Sequence, residues 1–306
     1  MIELIDARSL ILKTVQKTPV ILKRLKETLN YVLTEDIKSD INYPPFTRSK
    51  MDGFAVCSKE LIQVSPGNPL ILEILETVQA GVNPNFPLKS DQTAKIMTGA
   101  PLPEGADAVV PFEEVSWQGS KAAFTQKITT GQHLSFEGEE IKKGQLVLTK
   151  DKIIGPGELV ILALSGKEKV KVYSRPRTGI LVTGEEITDV GKKLEKAKIR
   201  DTNSCMLAGQ VKLSGGYPVS LGIAGDKKDE IAGIISSSLP ELDLMITTGG
   251  AAAGEYDLTE EVFQSVGAEI LFRRVAMKPG NYLVAAQKEG KFLFGLSGSP
   301  SGAFVS

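Results

Sequence analysis

The stretch ITTGGAAAGEYDLTEE, residues 246–261, decides the fold. Leu242, Leu244, Met245 and Ile246 read as a short buried strand bounded by polar residues. Gly249, Gly250 and Gly254 lack a Cβ, so another backbone or a ligand can approach them closely. Asp257 then stands where a helix cap belongs, ahead of Leu258, Val262 and Phe263. A strand, a glycine loop and a helix start together make an anion site. The plainer alternative is a tight strand-to-helix turn with a capping aspartate, and the stretch alone leaves both open.

The same alternation extends outward through residues 175–306. RTGILVTG reads as a strand, DTNSCMLAGQVKLSGG as a helix with an Asp or Asn cap, and YPVSLGIAGD as a strand. KKDEIAGIISSSL follows as a helix, then the 246–261 unit, then strands at EILFRRVAM, NYLVAA and KFLFGL. Such alternation predicts a doubly wound α/β domain with a mostly parallel sheet. Residues 44–135 are short β-branched runs cut by Pro, Gly and Asn, which predicts a β-rich module. Residues 1–33 read as helical, because Leu22, Leu25, Leu29 and Val32 recur at helical spacing. Pro156 fits a helix start and Gly166 a helix end. Residues 1–43 and 136–174 flank this module as mixed α+β segments. The chain reads as multidomain α/β and β.

Composition bounds the function. The 306 residues carry a net charge of −1, which gives no reason to expect nucleic acid or an acidic membrane as partner. Cys57 and Cys205 are far apart and make neither a disulfide framework nor a metal cluster, which fits a reducing cytoplasm. The N-terminus lacks a signal-peptide pattern, and no apolar run reaches the roughly 20 residues that span a bilayer. His133 is the sole histidine, so a histidine-rich metal site is excluded.

In open α/β sheets, ligands bind beyond the carboxyl ends of the strands. The polar residues of the last third fall at such ends. Glu185 and Glu186 follow the first strand, Asp226 the second, Gly249, Gly250, Glu255 and Asp257 the third, and Lys278 the fourth. Ser297, Gly298 and Ser299 follow the last. Each acid alone is also a plausible helix cap. Together the carboxylates suit Mg²⁺, and the lysine with free backbone N–H groups suits an oxyanion. Metal-assisted chemistry on a phosphorylated or nucleotide-like ligand is the expectation. No GxxxxGK[ST] and no post-strand GxGxxG occurs, which disfavours ordinary ATP and NAD sites.

INYPPFTRSKMDGFAV, IMTGAPLPEGADAVVPFEEV, GEEIKKG, ILVTGEEI, IRDTNS, TTGGAAAGEYD, MKPG and GLSGSP occur in this order. The combination resembles the molybdopterin molybdotransferase family, bacterial relatives of the gephyrin E domain, across nearly the whole chain. The resemblance implies a Mg²⁺-dependent transferase that inserts molybdate into adenylylated molybdopterin and releases AMP. It implies that residues 1–43 and 136–174 form one elongated mixed α+β linker domain. It implies a homodimer that places Asp52 and Thr98 of one chain opposite the α/β domain of the other, with Glu140 near the same cleft. Glu186, Asp226 and Asp257 would hold Mg²⁺ and orient the phosphate, and Lys278 would meet the oxyanion. Gly249, Gly250, Gly254, Asn281, Ser297, Gly298 and Ser299 would line the ligand site. The adenylyl-transferring molybdopterin protein is an implied partner.

The chain departs from the family's pattern at three positions. Asn281 stands where KPGKP has its second lysine, Ser299 where GLPGNPVSA has asparagine, and Gly302 where it has serine. The text also stops at Ser306, so the family's C-terminal β domain is expected to be absent. A non-catalytic relative that binds pterin or nucleotide, or scaffolds a partner, is the alternative these departures support. An unrelated nucleotide hydrolase would leave the MDGFAV module without a role.

Overall fold

The computed structural model describes residues 1–249 and 258–306. The chain divides into two compact units, one of residues 1–23, 27–34 and 170–306, the other of residues 24–26 and 35–169.

The second unit holds a six-stranded sheet in the order Ala108–Pro111, Gly53–Val56, Gln92–Ile96, Leu70–Val78, Lys121–Phe124, Val115–Gln118. All neighbours are antiparallel except Leu70–Val78 with Gln92–Ile96. Both faces of Gly53–Val56 are covered. Phe54 and Val56 pack with Leu61, Leu72, Val110 and Phe124, whereas Ala55 packs with Val78, Ala94, Ile96 and Leu134. Successive side chains of a strand point to opposite faces, so one short strand feeds two cores. Gly53 has no substitute there, because a Cβ would collide with the Val110 carbonyl oxygen on the neighbouring strand. The helix Pro156–Leu164 starts with proline in its first turn, and the Gly155 N–H donates to Glu158 Oε2 at 2.9 Å.

The first unit holds a second six-stranded sheet, in the order Tyr217–Ala224, Arg177–Thr183, Leu244–Thr248, Lys291–Leu296, Tyr282–Lys288, Glu269–Arg274. The first four strands are mutually parallel, and Tyr282–Lys288 runs antiparallel to both its neighbours. Helices cover both faces. Ile231 and Ile235 of Lys228–Ser238 and Val262 and Phe263 of Leu258–Ser265 pack on Leu181, Met245, Val284 and Leu293. Leu207 of Asn203–Leu213, Ala303 of Pro300–Val305 and Ala7 of Leu4–Thr14 pack with Ile180, Leu283, Ala285 and Leu296. Ile180 and Leu181 thus feed cores on opposite faces, and helices over both faces of a mostly parallel sheet mark it as doubly wound.

Two features differ from the sequence reading. The helix at the N-terminus spans only Leu4–Thr14, and Val20–Arg24 is a strand. Pro19 interrupts the helical pattern, and burial from Val20 to Arg24 alternates with period two, which overrides the leucine spacing. Residues 1–23 and 27–34 group with 170–306, where Val20–Arg24 pairs with Lys169–Tyr173, Ala7 joins the sheet core and the Ile2 N–H bonds to Arg274 O, whereas 136–169 group with the β-rich unit.

Candidate functional site

In the α/β unit the candidate loops leave one end of the sheet. Those after Thr183, Ala224, Thr248 and Leu296 follow parallel strands. Glu269–Arg274 is antiparallel to Tyr282–Lys288 and so points the same way as the parallel four, which sends the 275–281 connection to that end too.

Hydrogen bonds knit these loops. The Gly184 N–H donates to Ala224 O at 3.1 Å, and the Glu185 N–H reaches Asp226 Oδ2 at 3.4 Å. Glu185 also leans over Gly225, where a Cβ would stand 2.5 Å from Glu185 Oε1. Glu186 curls the other way: a Cβ on Gly184 would stand 2.8 Å from its Oε2. The acid nearest Asp226 is thus Glu185, one residue earlier than the sequence favours. Lys198 donates to the Glu185 carbonyl, bringing a cation to this acidic turn that spacing does not flag. Glu185, Glu186 and Asp226 are all exposed.

Gly249 has φ +101°, and a Cβ there would collide with the carbonyl oxygen of Thr183. It lies beside Gly298, whose Cβ position is 3.5 Å from the Gly249 Cα. The Ser297 and Ser299 hydroxyls are 3.1 Å apart, and Ser299 Oγ accepts the Gly302 N–H as the cap of the final helix. Lys278 and Asn281 are exposed on the 275–281 connection, which the Ser306 hydroxyl ties at Gly280 O, 3.3 Å away. Gly250, Gly254, Glu255 and Asp257 lie outside the described residues.

Among the described residues, no group of three or more His, Cys, Asp or Glu stands together as a metal site. Magnesium is commonly held by one or two carboxylates, with waters and substrate phosphates completing its shell. The all-oxygen donors at Glu185, Glu186 and Asp226 fit that requirement in kind and in number.

The β-rich unit carries its own candidates. Asp52 Oδ1 accepts both the Thr98 N–H and the Thr98 hydroxyl, each at 2.7 Å. The backbone bond first and the hydroxyl second hold the Asp52 carboxyl below its ordinary range. Both oxygens of Glu139, by contrast, are committed: the Ser135 hydroxyl donates to Oε1 at 2.5 Å and the Phe136 N–H to Oε2 at 2.9 Å. The Ser135 bond is the main cause of its lowered pKa. Its neighbour Glu140 is exposed and outside these contacts.

The class follows first: a doubly wound unit with glycine turns, acids and a lysine gathered at the carboxyl end of its sheet is a binding fold for anionic ligands. The comparisons make it specific. Residues 2–166 match the family described as MoeA N-terminal region (domain I and II), and residues 179–306 match the probable molybdopterin binding domain. The chain is 36% identical over 285 residues to the molybdopterin molybdenumtransferase of Bacillus subtilis (strain 168), covering 92% of this chain and 66% of that one. It is 35% identical over 290 residues to that of Staphylococcus aureus (strain Mu50 / ATCC 700699), covering 94% and 68%. The crystal structure of the molybdopterin biosynthesis moea protein from Pyrococcus horikosii superposes with a TM-score of 0.84 at 30% identity, over 99% of this chain and 76% of that one. The chain belongs to the molybdopterin molybdenumtransferase family, transferases of molybdenum cofactor biosynthesis. It spans about two thirds of the length of these two curated relatives. Among the described residues, no helix is long and apolar enough to cross a membrane.

Proposed function

We propose that the chain is itself a molybdopterin molybdenumtransferase, inserting molybdate into adenylylated molybdopterin with release of AMP. Family membership supports the reaction. The observation that carries the site is the gathering of five loops at one end of the α/β sheet, with Gly249 against Gly298 and Glu185 against Asp226.

Glu186 and Asp226, with Asp257 and the neighbouring Glu185, would hold Mg²⁺, which when bound offsets the phosphate charge. The backbone at Gly249, Gly250, Gly254 and Gly298, with the Ser297 and Ser299 hydroxyls, would orient the pterin phosphate. Lys278 would face the oxyanion beside Asn281. Asp52, held by Thr98, would act from the β-rich module, residues 44–135, of the partner chain in a homodimer, with Glu140 near the same cleft. Residues 175–306 would form the pterin-binding domain, and 1–43 with 136–174 the elongated linker between modules. The cytoplasm is the compartment proposed, with the adenylyl-transferring molybdopterin protein as donor of substrate.

The test is AMP release from adenylylated molybdopterin with Mg²⁺ and molybdate. Release that needs both ions, and that Asp226→Ala or Asp52→Ala abolishes, is expected; full turnover in either variant refutes the assignment. One observation favours a second reading, a relative that binds pterin or nucleotide without turnover. The Ser299 hydroxyl is committed to capping the last helix, and Asn281 brings no charge. Calorimetry separates the two, since AMP binding without molybdate binding supports the second.

A further inference from the structure

The sequence marks Asn203 only as one of two candidate caps for the helix after IRDTNS. The structure gives the capping role to Asp201, whose Oδ1 accepts the Ser204 N–H at 2.9 Å. The Asn203 carboxamide is thereby released for a different task. Its side chain is 6% exposed, and Nδ2 donates to Thr248 Oγ1 at 2.8 Å and to the Gly298 carbonyl at 2.9 Å. Thr248, fully buried, passes the link on by donating its hydroxyl to Ser297 O at 3.0 Å. The Gly298 carbonyl can only accept, so it fixes which way the amide points. Among the described residues, Asn203 Oδ1 is left buried with no hydrogen-bond partner.

This knot joins three elements: the first turn of the helix, the end of the strand Leu244–Thr248 and the turn after Lys291–Leu296. It clasps the sheet at the place where Gly249 and Gly298 come together. An apolar side chain would fill the same volume without an orphaned acceptor. Half-satisfied buried amides are rare in native proteins, because the unmet group keeps its desolvation cost. The arrangement is explained if the position is kept for what Nδ2 does to the two turns.

We infer that Asn203 is a positioning residue for substrate binding. By pinning Thr248, at the end of its strand, to the turn after Leu296, it sets the spacing of Gly249 and Gly298, the backbone that receives a phosphate-bearing ligand. The inference rests on the reading that these turns hold the substrate's phosphate, and it adds a residue that touches no substrate itself.

Asn203→Asp keeps the shape and replaces the donor by an acceptor facing the Gly298 carbonyl. Thr248→Val removes one acceptor and one donor of the knot, and Thr248→Ser restores both. The measurements are AMP affinity by calorimetry on the full chain, KM and kcat for AMP release, and the melting temperature. Loss of a buried hydrogen-bonded contact predicts AMP affinity about tenfold weaker and KM raised by a similar factor in Asn203→Asp and Thr248→Val. The kcat should fall much less, and Thr248→Ser should recover wild-type KM. If Asn203→Asp does not fold, the Thr248 pair decides. A lowered melting temperature with unchanged AMP affinity and KM overturns the inference, as does failure of Thr248→Ser to restore binding. Wild-type protein that binds AMP without releasing any from substrate sinks the transferase reading alone. Wild-type protein that does not bind AMP sinks both.

Discussion

The two units carry their candidate acids in contrasting ways. In the β-rich unit, Asp52 sits one residue before a strand that is buried on both faces, and Thr98 alone supplies both of its hydrogen bonds. In the α/β unit, Glu185, Glu186 and Asp226 stand exposed on turns, and the long 3.4 Å bond from the Glu185 N–H to Asp226 Oδ2 is the tie between them. One acid is fixed before any ligand arrives. In the proposed site the others would converge when a cation gathers them, since Mg²⁺ takes few protein ligands and relies on substrate for the rest.

The largest effect should come from the loosely held set. Asp226→Ala is expected to cost about a hundredfold or more in AMP release, the scale of losing one electrostatic stabiliser of the reacting charge. Added Mg²⁺ should recover part of that loss. A variant with normal turnover and normal Mg²⁺ dependence would show that the gathering does not occur.

Next in size is Gly249→Ala. The Thr183 carbonyl and the positive φ leave no room for a methyl group, so stability should drop by about 1–3 kcal/mol in urea unfolding. Gly191→Ala, where a Cβ meets nothing, should stay within about 0.5 kcal/mol of the parent. Equal losses in both would mean that the close approach at Gly249 is not what the turn depends on.

Asn281→Lys sharpens the question of charge. Restoring a cation beside Lys278 should tighten molybdate binding about tenfold, read by calorimetry. No change would place the oxyanion elsewhere on the sheet end.

The smallest effect is on the fixed acid. Thr98→Val removes the hydroxyl donor but not the backbone one, so the Asp52 pKa should rise part of the way toward its ordinary value in an NMR titration. The sign follows from a depressed folded pKa. The bonds stabilise the fold above the ordinary carboxyl pKa, and the contribution is lost as pH falls through the depressed value. The stability gap between Thr98→Val and the parent should therefore close in acid; a gap independent of pH would trace to packing instead.

The α/β architecture was legible because its strands are continuous apolar runs ended by glycine, as buried parallel strands must be. ILVTG, MITTGG and FLFGL announce themselves, and their ends place the candidate loops. Three things were not legible. Val20–Arg24 contains Leu22, which opens the helical spacing of Leu22, Leu25, Leu29 and Val32, and only pairing and alternating burial reveal a strand. Whether Glu185 or Glu186 turns toward Asp226, and whether Glu139 or Glu140 is committed locally, depends on side-chain direction in adjacent residues of like kind. Asn203 was hidden because its partners, Thr248 and Gly298, lie 45 and 95 residues away. A helix start rich in Asp, Thr, Asn and Ser does not say which of them caps.

The reversed direction of Tyr282–Lys288 has a consequence for how this protein can change. Because it makes a hairpin with Glu269–Arg274, the 275–281 connection returns directly into the sheet without a crossover helix. Val275, Met277 and Gly280 of this segment pack against the helices, whereas Lys278 and Asn281 stand exposed, so exchange is open at these two positions. If the proposed site holds, exchange of Lys278 or Asn281 would retune which oxyanion is preferred while the scaffold beneath stays as it is.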